Sequence, residues 1–286
     1  MKLALLQSVL TPENKLLMQA AQKMGVALEL LLDSQLELEI ANPSKTEYSG
    51  ILQRSSSYSR TLYSSFYFEQ CGTFVCNPYK SHHLCGDKFL ASILLAKNKI
   101  PTPKTYGAFS QEAAKHAAAK LGFPVVMKPV FGSWARMVHR LNDADALSAE
   151  LESREEMGHA FQKVYYLQEH IDKPGRDIRA IVIGQECISA VYRVASDGSP
   201  NTFITNTSRG GTAQKCELTP ELKELCVKAS LVFGEGIYGV DLMETTDGGL
   251  VVHEVNHTTE FHKSLQAAGV DIPGKMMEYF VRQAKG

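Results

Sequence analysis

Short apolar runs alternate with amphipathic segments through the first 86 residues of the chain. Four runs have the length and composition of β-strands, namely KLALLQ, VALELLL, SGILQR and TFVCN. Two longer segments have helical character, TPENKLLMQAAQKMG and RTLYSSFYFEQCG, and Thr11 and Pro12 suit the N-cap and first turn of the former. Strands separated by helices at this spacing predict a small parallel sheet that is covered on both faces.

The pattern changes after residue 86 and again near residue 166. Residues 87–165 begin with the helix DKFLASILLAKNK and continue with the strand–helix–strand unit KTYGAF, SQEAAKHAAAKLG and FPVVMKPV. The remainder is rich in strands, YYLQEHI, DIRAIVIG, CISAVYRV, NTFITN, YGVDLME and GLVVHEVN, with two helices, TPELKELCVKASLVFG and PGKMMEYFVRQAK. An α/β chain with three packed parts is therefore predicted, 1–86, 87–165 and 166–286, the last two being α+β lobes.

The composition excludes several classes of protein. Thirty basic and 31 acidic residues among 286 give a formal net charge of −1, which argues against a nucleic-acid partner. The apolar runs are too short for a membrane span, and the N-terminal run reads as a core strand and not as a signal peptide. The six cysteines include no CxxC pair, so buried free thiols in a reducing cytoplasm are expected, without zinc or disulfides.

The segment GVDLMETTDGGLVVHEVNHTTEF reads as a hairpin that turns at Asp247-Gly248-Gly249. Glu254 and Asn256 share one face of the second strand, and Asp241 on the first strand could meet them across the hairpin. Two carboxylates and an amide oxygen suit Mg²⁺, which usually also binds phosphate oxygens and water. A solvated strand face is the alternative interpretation.

Cationic residues along the central part of the chain suggest an anion-binding cleft. Lys128 lies in the apolar strand PVVMKPV, so it either reaches solvent or meets an anion. The small-residue loop FGSWARMV follows it, and its amides with Arg136 could hold phosphates, although neither a P-loop nor a Rossmann fingerprint is present. Arginines then recur in RDIR, at Arg193 and in NTSRGG.

The order of these blocks resembles the ATP-grasp carboxylate–amine ligases over nearly the whole chain. The blocks are Asp87-Lys88, VVMKP, GSWAR, LQEHI with RDIR, NTSRGG and the D…EVN hairpin. The sequence is most similar to the branch of ribosomal-protein glutamate ligases and, within it, to ligases of lysine biosynthesis, through GSWxR, QEHIDKPGRDIR, NTSRGG, EVNHTTEF and GVDIPG. Ala135 stands where a glycine is expected, and His262 where a lysine is usual.

The resemblance implies an ATP-grasp fold behind an N-terminal pre-grasp domain, with a role for each matching residue. Residues expected to bind ATP are Lys88, Lys128, Gly132, Ser133, Trp134, Ala135, Arg136, Met137, Val138, Gln168, Glu169, His170, Ile171, Asp177 (through the ribose), Arg193 and Asn206. Asp241, Glu254 and Asn256 would hold Mg²⁺. Arg179, Arg193 and Arg209 would act in catalysis, and Arg179, Arg209, Gly210 and Thr258 would bind substrate.

The activity implied by the resemblance is ATP-dependent amide formation through an acyl phosphate. The activated group would be the γ-carboxyl of the C-terminal glutamate of a small acidic amino-group carrier protein, and the nucleophile the α-amine of α-aminoadipate. Glutamate or an unusual amino acid on such a carrier, a ribosomal-protein glutamate ligase, and a non-catalytic ATP-binding module are the alternatives. A cytoplasmic homo-oligomer is expected.

Overall fold

The structure is a computed structural model, and it describes residues 1–44, 46–195, 205 and 210–286. Within these ranges the chain forms three β-sheets, of four, four and five strands. The predicted strand NTFITN lies outside the described residues, apart from Thr205. All six cysteines are buried free thiols, as the sequence predicted.

The first sheet is parallel, with the order β2-β1-β3-β4. Its strands are β1 (Leu3–Gln7), β2 (Leu28–Leu32), β3 (Gly50–Arg54) and β4 (Phe74–Cys76), with α1 (Pro12–Lys23), α2 (Tyr58–Gln70) and α3 (Tyr79–Gly86) connecting or following them. Leu3 and Leu5 pack in one core cluster and Ala4 and Leu6 in another. Both faces of the sheet are therefore covered, as the unbroken apolar runs predicted.

The second sheet is antiparallel, with the order β5-β8-β6-β7. Its strands are β5 (Thr105–Ala108), β6 (Val125–Lys128), β7 (His139–Leu141) and β8 (Tyr165–Glu169). Helices α5 (Gln111–Leu121) and α6 (Ala144–Met157) contribute to the core beside this sheet, through residues such as Ala114 and Leu147. The strand Tyr165–Glu169, which the sequence analysis joined to the last part of the chain, thus completes this sheet.

The third sheet is antiparallel and follows the order β11-β10-β9-β12-β13. Its strands are β9 (Arg176–Ile183), β10 (Glu186–Val194), β11 (Thr212–Lys215), β12 (Ile237–Glu244) and β13 (Leu250–Asn256). The remaining α-helices are α4 (Lys88–Lys97), α7 (Pro220–Leu231), α8 (Leu265–Ala268) and α9 (Ile272–Gln283), and short 3₁₀ helices lie at Asp33–Gln35, Ala160–Lys163 and His262–Ser264. Among the described helices, none has the length and apolar character of a membrane span.

Two helices join the three parts into one packed body. Although α4 precedes the second sheet in the chain, its residues Ala91 and Leu95 pack in the core cluster of the third sheet. Helix α9 lies between the first and third sheets, where Phe280 shares a cluster with Leu5 and Ile181. The sequence analysis assigned α4 to the lobe of residues 87–165, but the core contacts of this helix are with the third sheet. Long-range packing decides where the helix lies.

Asn77 links the first sheet to the third. Its side-chain amide donates to the carbonyl oxygens of Ile237 at 2.7 Å and His257 at 2.8 Å, and its Oδ1 accepts from the Ile237 amide at 2.7 Å. The side chain fits because Gly236 has no Cβ, which would lie 2.3 Å from Oδ1. Asn77 is 2% exposed, so its partners have no water to replace it.

Replacing this side chain should therefore destabilise the whole chain. We expect Asn77→Ala to lower the free energy of unfolding by about 2–4 kcal/mol, because several buried backbone groups lose their partners. Urea unfolding followed by circular dichroism measures the change. The control is Asn142→Ala at an exposed position, and equal stability of the two variants would contradict this account of the link.

Candidate active site

A cavity of about 360 Å³ lies where the three sheets meet. The carboxyl end of β3 contributes Arg54, β6 and β8 contribute Lys128 and Gln168, and the third sheet contributes charged side chains such as Asp241 and Arg193. The loop at 132–138 and the segment at 256–260 also line it. The cavity therefore joins all parts of the fold.

The structure brings most of the predicted site residues to this one cavity. They are Lys88, Lys128, Gly132, Ser133, Trp134, Ala135, Arg136, Val138, Gln168, Glu169, Ile171, Asp177, Arg179, Arg193, Asp241, Glu254, Asn256 and Thr258. Met137, His170 and Gly210 are not among the described lining residues. Asn206 and Arg209 lie outside the described part of the chain.

The three predicted metal ligands lie together on the β12–β13 hairpin. Asp241 faces Glu254 directly in the register, and a bulge follows, because Leu242 pairs with Val252. The Asn256 amide nitrogen donates to Asp241 Oδ2 at 3.2 Å, while Glu254 Oε1 lies 3.1 Å from Lys88 Nζ. The hairpin therefore presents two carboxylates and an amide to the cavity, as the alternation of its side chains predicted.

Asp241 is held by two arginines at the base of the cavity. The Arg179 guanidinium binds both oxygens, with Nη2 at 2.8 Å from Oδ2, and Arg193 Nη2 lies 3.3 Å from Oδ1. Burial alone would raise the pKa of Asp241, but Arg179 and Arg193 hold it below its usual range. Gly239 leaves room for Arg179 and Thr259, because a Cβ there would lie 3.3 Å from Arg179 Cδ and 2.5 Å from Thr259 Oγ1.

Arg193 is fixed by a second buried carboxylate. Its Nε and Nη2 donate to Asp177 at 2.6 and 2.9 Å, and the Thr205 hydroxyl donates to Asp177 Oδ2 at 2.6 Å. Despite its burial, the pKa of Arg193 is raised by Asp241 and Asp177. The sequence analysis predicted that Asp177 contacts the ribose of ATP. In the structure both carboxylate oxygens of Asp177 instead bind Arg193.

Lys128 lies at the other side of the cavity, on the strand next to Gln168. Its Nζ donates to Gln168 Oε1 at 2.6 Å, and Gln168 in turn donates to Thr105 and Tyr166. Burial lowers the pKa of Lys128 to about 8, against the opposing effect of Glu254. Among the described residues no carboxylate forms a salt bridge with Lys128, so a bound anion would supply the missing countercharge.

The loop at 132–138 covers the cavity and is anchored at both ends. Lys88 Nζ donates to the Gly132 carbonyl at 2.8 Å, and the Trp134 indole donates to Glu260 at 2.9 Å. Met137 lies outside the cavity, where its carbonyl accepts from Arg154 at 3.2 Å. The loop thus contacts the start of α4 and the segment that follows β13.

Residues 168–171, which were expected to bind ATP, form the end of β8 and the two positions after it. Glu169 Oε1 accepts from the Lys104 amide at 2.6 Å, which ties the end of β8 to the start of β5. Ile171 lines the cavity together with Gln168. The roles of these residues in ATP binding stay predictions.

Several cavity residues were not singled out from the sequence. Arg54 ends strand β3, Glu13 lies in the first turn of α1, and Lys173 lies between β8 and β9. The position of Arg54 carried a usable signal, because ligands of parallel sheets bind beyond the carboxyl ends of the strands. Glu13 carried no such signal, since its partner His262 is 249 residues away in the chain.

The donor set at the hairpin fits a magnesium ion. No group of three or more histidine, cysteine or acidic side chains forms a metal site in the part of the chain that the structure describes. Two carboxylates with one amide oxygen suit Mg²⁺, which takes its other ligands from phosphates and water. Asp241 would join such a site only if Arg179 or Arg193 shifted toward another anion.

Together, the three-part fold and the charged cavity define an ATP-grasp ligase. A family model for the RimK-like ATP-grasp domain matches residues 85–280, and one for the LysX preATP-grasp domain matches residues 3–84. The chain belongs to the RimK-like ATP-grasp family, and it is an ATP-dependent carboxylate–amine ligase. The resemblance and the fold class predicted from the sequence are confirmed.

Relatives and solved structures agree with this assignment. The alpha-aminoadipate–LysW ligase LysX of Saccharolobus solfataricus is 34% identical over 269 residues, covering 93% of this chain and 96% of its own. The glutamate–LysW ligase ArgX of Sulfurisphaera tokodaii is also 34% identical, over 98% of both chains. The crystal structure of a RimK-domain ATP-grasp protein from Sphaerobacter thermophilus matches with a TM-score of 0.83 at 26% identity, over 98% of this chain and 100% of that one.

The lowered pKa of Lys128 predicts a pH-dependent affinity for ATP. Lys128 loses its proton as the pH rises through about 8, whereas bound phosphates would favour the charged form. Affinity for ATP should therefore fall above pH 8 by up to about tenfold per pH unit. Calorimetric titration between pH 7 and 9.5 measures this decline.

Lys128→Arg is the matched variant, because arginine keeps its charge throughout this range. Its affinity should change much less with pH than that of the unaltered protein. If both proteins show the same pH profile, Lys128 does not bind the nucleotide.

Proposed function

We propose that this ligase joins the α-amino group of α-aminoadipate to the γ-carboxyl group of the C-terminal glutamate of a small acidic LysW-type carrier protein. One observation carries the chemistry: Arg179 and Arg193 meet at a buried carboxylate in the same cavity as Lys88 and Lys128. Such a set of cations can bind the phosphates of ATP and a carboxylate together. The carrier and amino acid are proposed because full-length relatives are named for LysW with α-aminoadipate or glutamate.

A carboxylate needs activation because it is a poor electrophile and amide formation in water is unfavourable. A carboxylate oxygen of the carrier attacks the γ-phosphorus of ATP, and ADP leaves. The amine then attacks the resulting acyl phosphate, so that the C–O bond to phosphate breaks and inorganic phosphate leaves. The amine must lose a proton, and the products are an amide, ADP and phosphate.

The lysines and arginines of the cavity would act on different parts of this reaction. Lys88, which bonds to Gly132 at the start of the covering loop, and Lys128 both line the cavity and would bind the phosphate chain. Arg179 and Arg193 would meet the charge that develops on the transferred phosphoryl group. Asp177 would position Arg193 for that task. This proposed role replaces the ribose contact that was predicted for Asp177.

Asp241, Glu254 and Asn256 would hold Mg²⁺. When bound, this ion neutralises charge on phosphate oxygens. Binding of phosphates would also give Arg179 and Arg193 new partners, which would free the oxygens of Asp241 for this role. Lys88 now neutralises Glu254 and would likewise move to a phosphate.

The covering loop would keep water from the reactive acyl phosphate. Its Trp134 contact with Glu260 closes the cavity toward the segment that contains Thr258. Since water competes with the amine, exclusion of water favours amide formation over hydrolysis. Carrier entry requires this loop to open.

Glutamate is the alternative amino acid, and the comparison with relatives supports it as well. The two named relatives are both 34% identical to this chain, although their names specify different amino acids. Thr258 lines the cavity beside Asn256, and His262 bonds to Glu13 near the same wall. The NHTTEF segment resembles the α-aminoadipate ligases and is the reason for the preference.

Magnesium binding by the hairpin predicts the effect of Glu254→Gln. The variant loses one negative ligand but keeps its size, so turnover should fall by on the order of 10² and half-maximal activity should need more magnesium. Steady-state assays over a range of magnesium concentrations measure both effects. Thermal unfolding checks that the variant folds.

The control for this variant is Glu278→Gln, at an exposed position on α9. It should match the unaltered protein in both assays. Unchanged turnover and unchanged magnesium dependence of the Glu254→Gln variant would refute the metal assignment.

Substrate choice can be tested by direct competition. The two amino acids differ by one methylene, which an apolar contact discriminates only weakly, but misplacing a carboxylate costs more. We therefore expect kcat/KM for α-aminoadipate to exceed that for glutamate by at least about tenfold.

The carrier is incubated with ATP, magnesium and equal concentrations of both amino acids, and its mass is then measured. The α-aminoadipate adduct should dominate. A dominant glutamate adduct would show that the substrate is wrong, and a carrier that gains no mass with either amino acid would overturn the proposed function.

A further inference from the structure

Arg54 is a buried cation that lines the cavity without a carboxylate partner. It ends strand β3 and is 8% exposed. Its Nε donates to Asn14 Oδ1 at 3.2 Å and its Nη1 to the Thr259 carbonyl at 3.0 Å. In the part of the chain that the structure describes, Nη2 donates no hydrogen bond and no carboxylate lies within 4.0 Å of the guanidinium.

The two acidic residues that act electrostatically on Arg54 already have other hydrogen-bond partners. Glu13 accepts from the His262 ring and backbone, and Glu260 accepts from the Trp134 indole. Burial lowers the pKa of Arg54, and these two carboxylates oppose that effect only at a distance. A buried arginine is costly without a hydrogen-bonded anion, so its position calls for one.

Ser55 supplies a second unused polar group at the same place. Its side chain lines the cavity, is 3% exposed, and its Oγ has no hydrogen-bond partner. Its backbone amide donates to Gln53 Oε1 at 3.0 Å, which fixes the residue directly after the strand. An unpaired hydroxyl and an unpaired guanidinium nitrogen on consecutive residues of one cavity wall are donors suited to a carboxylate.

The surrounding backbone favours an anion as well. Parallel strands bind ligands beyond their carboxyl ends, and Arg54 is the last residue of such a strand. Thr11 and Tyr58, at the N-termini of α1 and α2, line the same wall. The positive ends of both helices therefore lie near the unpaired donors.

We propose that Arg54 and the Ser55 hydroxyl bind a carboxylate of the amino-acid substrate. This inference rests on the proposed function and adds the subsite for one substrate. The phosphate-binding lysines come from α4 and β6, whereas Arg54 is anchored to Thr259, next to Thr258. A carboxylate held there would leave the amine free to face the acyl phosphate.

The test is equilibrium binding by calorimetry, with a non-hydrolysable ATP analogue and magnesium present and without carrier. The ligands are glutamate and α-aminoadipate, and for each the amide at the α-position and the amide at the side chain. The proteins are the unaltered chain, Arg54→Gln, Ser55→Ala and the control Arg60→Gln, whose arginine lies on α2 and pairs with Asp33 at 2.8 Å.

We expect Arg54→Gln to weaken binding of the preferred amino acid by about tenfold to a hundredfold, and Ser55→Ala by several-fold, while binding of the ATP analogue is unchanged. One of the two amides should bind Arg54→Gln as tightly as the parent acid does. That amide identifies which carboxylate Arg54 holds. Arg60→Gln should behave as the unaltered protein.

Three outcomes would overturn the subsite. In the first, Arg54→Gln still prefers the acid over both amides to the full extent. In the second, the unaltered protein binds neither amino acid measurably. In the third, Arg54→Gln and Ser55→Ala both bind with normal affinity. Because Arg54 also contacts Asn14 and Thr259, its replacement can affect the fold. Ser55→Ala removes only a hydroxyl group and therefore tests the subsite independently. Failure of carrier ligation in the competition assay, with these binding results intact, would instead refute the proposed function alone.

Discussion

The site depends on two buried carboxylates that hold two arginines in one cavity. Asp241 binds Arg179 and contacts Arg193, and Asp177 binds Arg193 through two hydrogen bonds. The arginines would repel each other without these carboxylates, and the carboxylates would take up protons without the arginines. The antiparallel register of β10, β9 and β12 brings all four side chains together, with Asp177 opposite Arg193 and Arg179 opposite Asp241.

This network gives the cavity preorganised cations before any ligand binds. Holding charged groups in place is costly to the fold, but the cations then lie in the cavity already and would exchange the carboxylates for bound phosphate. Lys88 and Lys128 extend the cationic surface from the opposite side, and Lys88 already bridges the covering loop and Glu254. Arg54 adds a cation from the first sheet, so every sheet supplies at least one positive charge to the cavity.

Much of this arrangement follows from local sequence patterns. The unbroken apolar runs of β1 and β3 predicted a parallel sheet covered on both faces, and the two-residue alternation in β13 predicted that Glu254 and Asn256 share a face. The motifs then indicated the family. Helix α6 and strand β7 were not predicted, because the helix has a weak apolar stripe and the strand has only three residues.

Other features depend on residues far apart in the chain, and local patterns do not report them. The Asn77 link spans 160 residues to Ile237, and the Glu13–His262 pair spans 249. The resemblance implied a ribose contact for Asp177, whereas the pairing of β9 with β10 places Asp177 opposite Arg193, to which it is hydrogen-bonded. The placement of α4 against the third sheet likewise follows from tertiary packing.

The central claim is that these cations serve transfer of a phosphoryl group from ATP to a carboxylate. The most direct measurement follows oxygen from that carboxylate. A carrier labelled with oxygen-18 in its terminal carboxylates is incubated with ATP, magnesium and the amino acid, and the released phosphate is analysed by mass spectrometry. An acyl-phosphate route predicts one labelled oxygen in each phosphate released. Phosphate that carries no label, while the carrier adduct forms, would contradict the account.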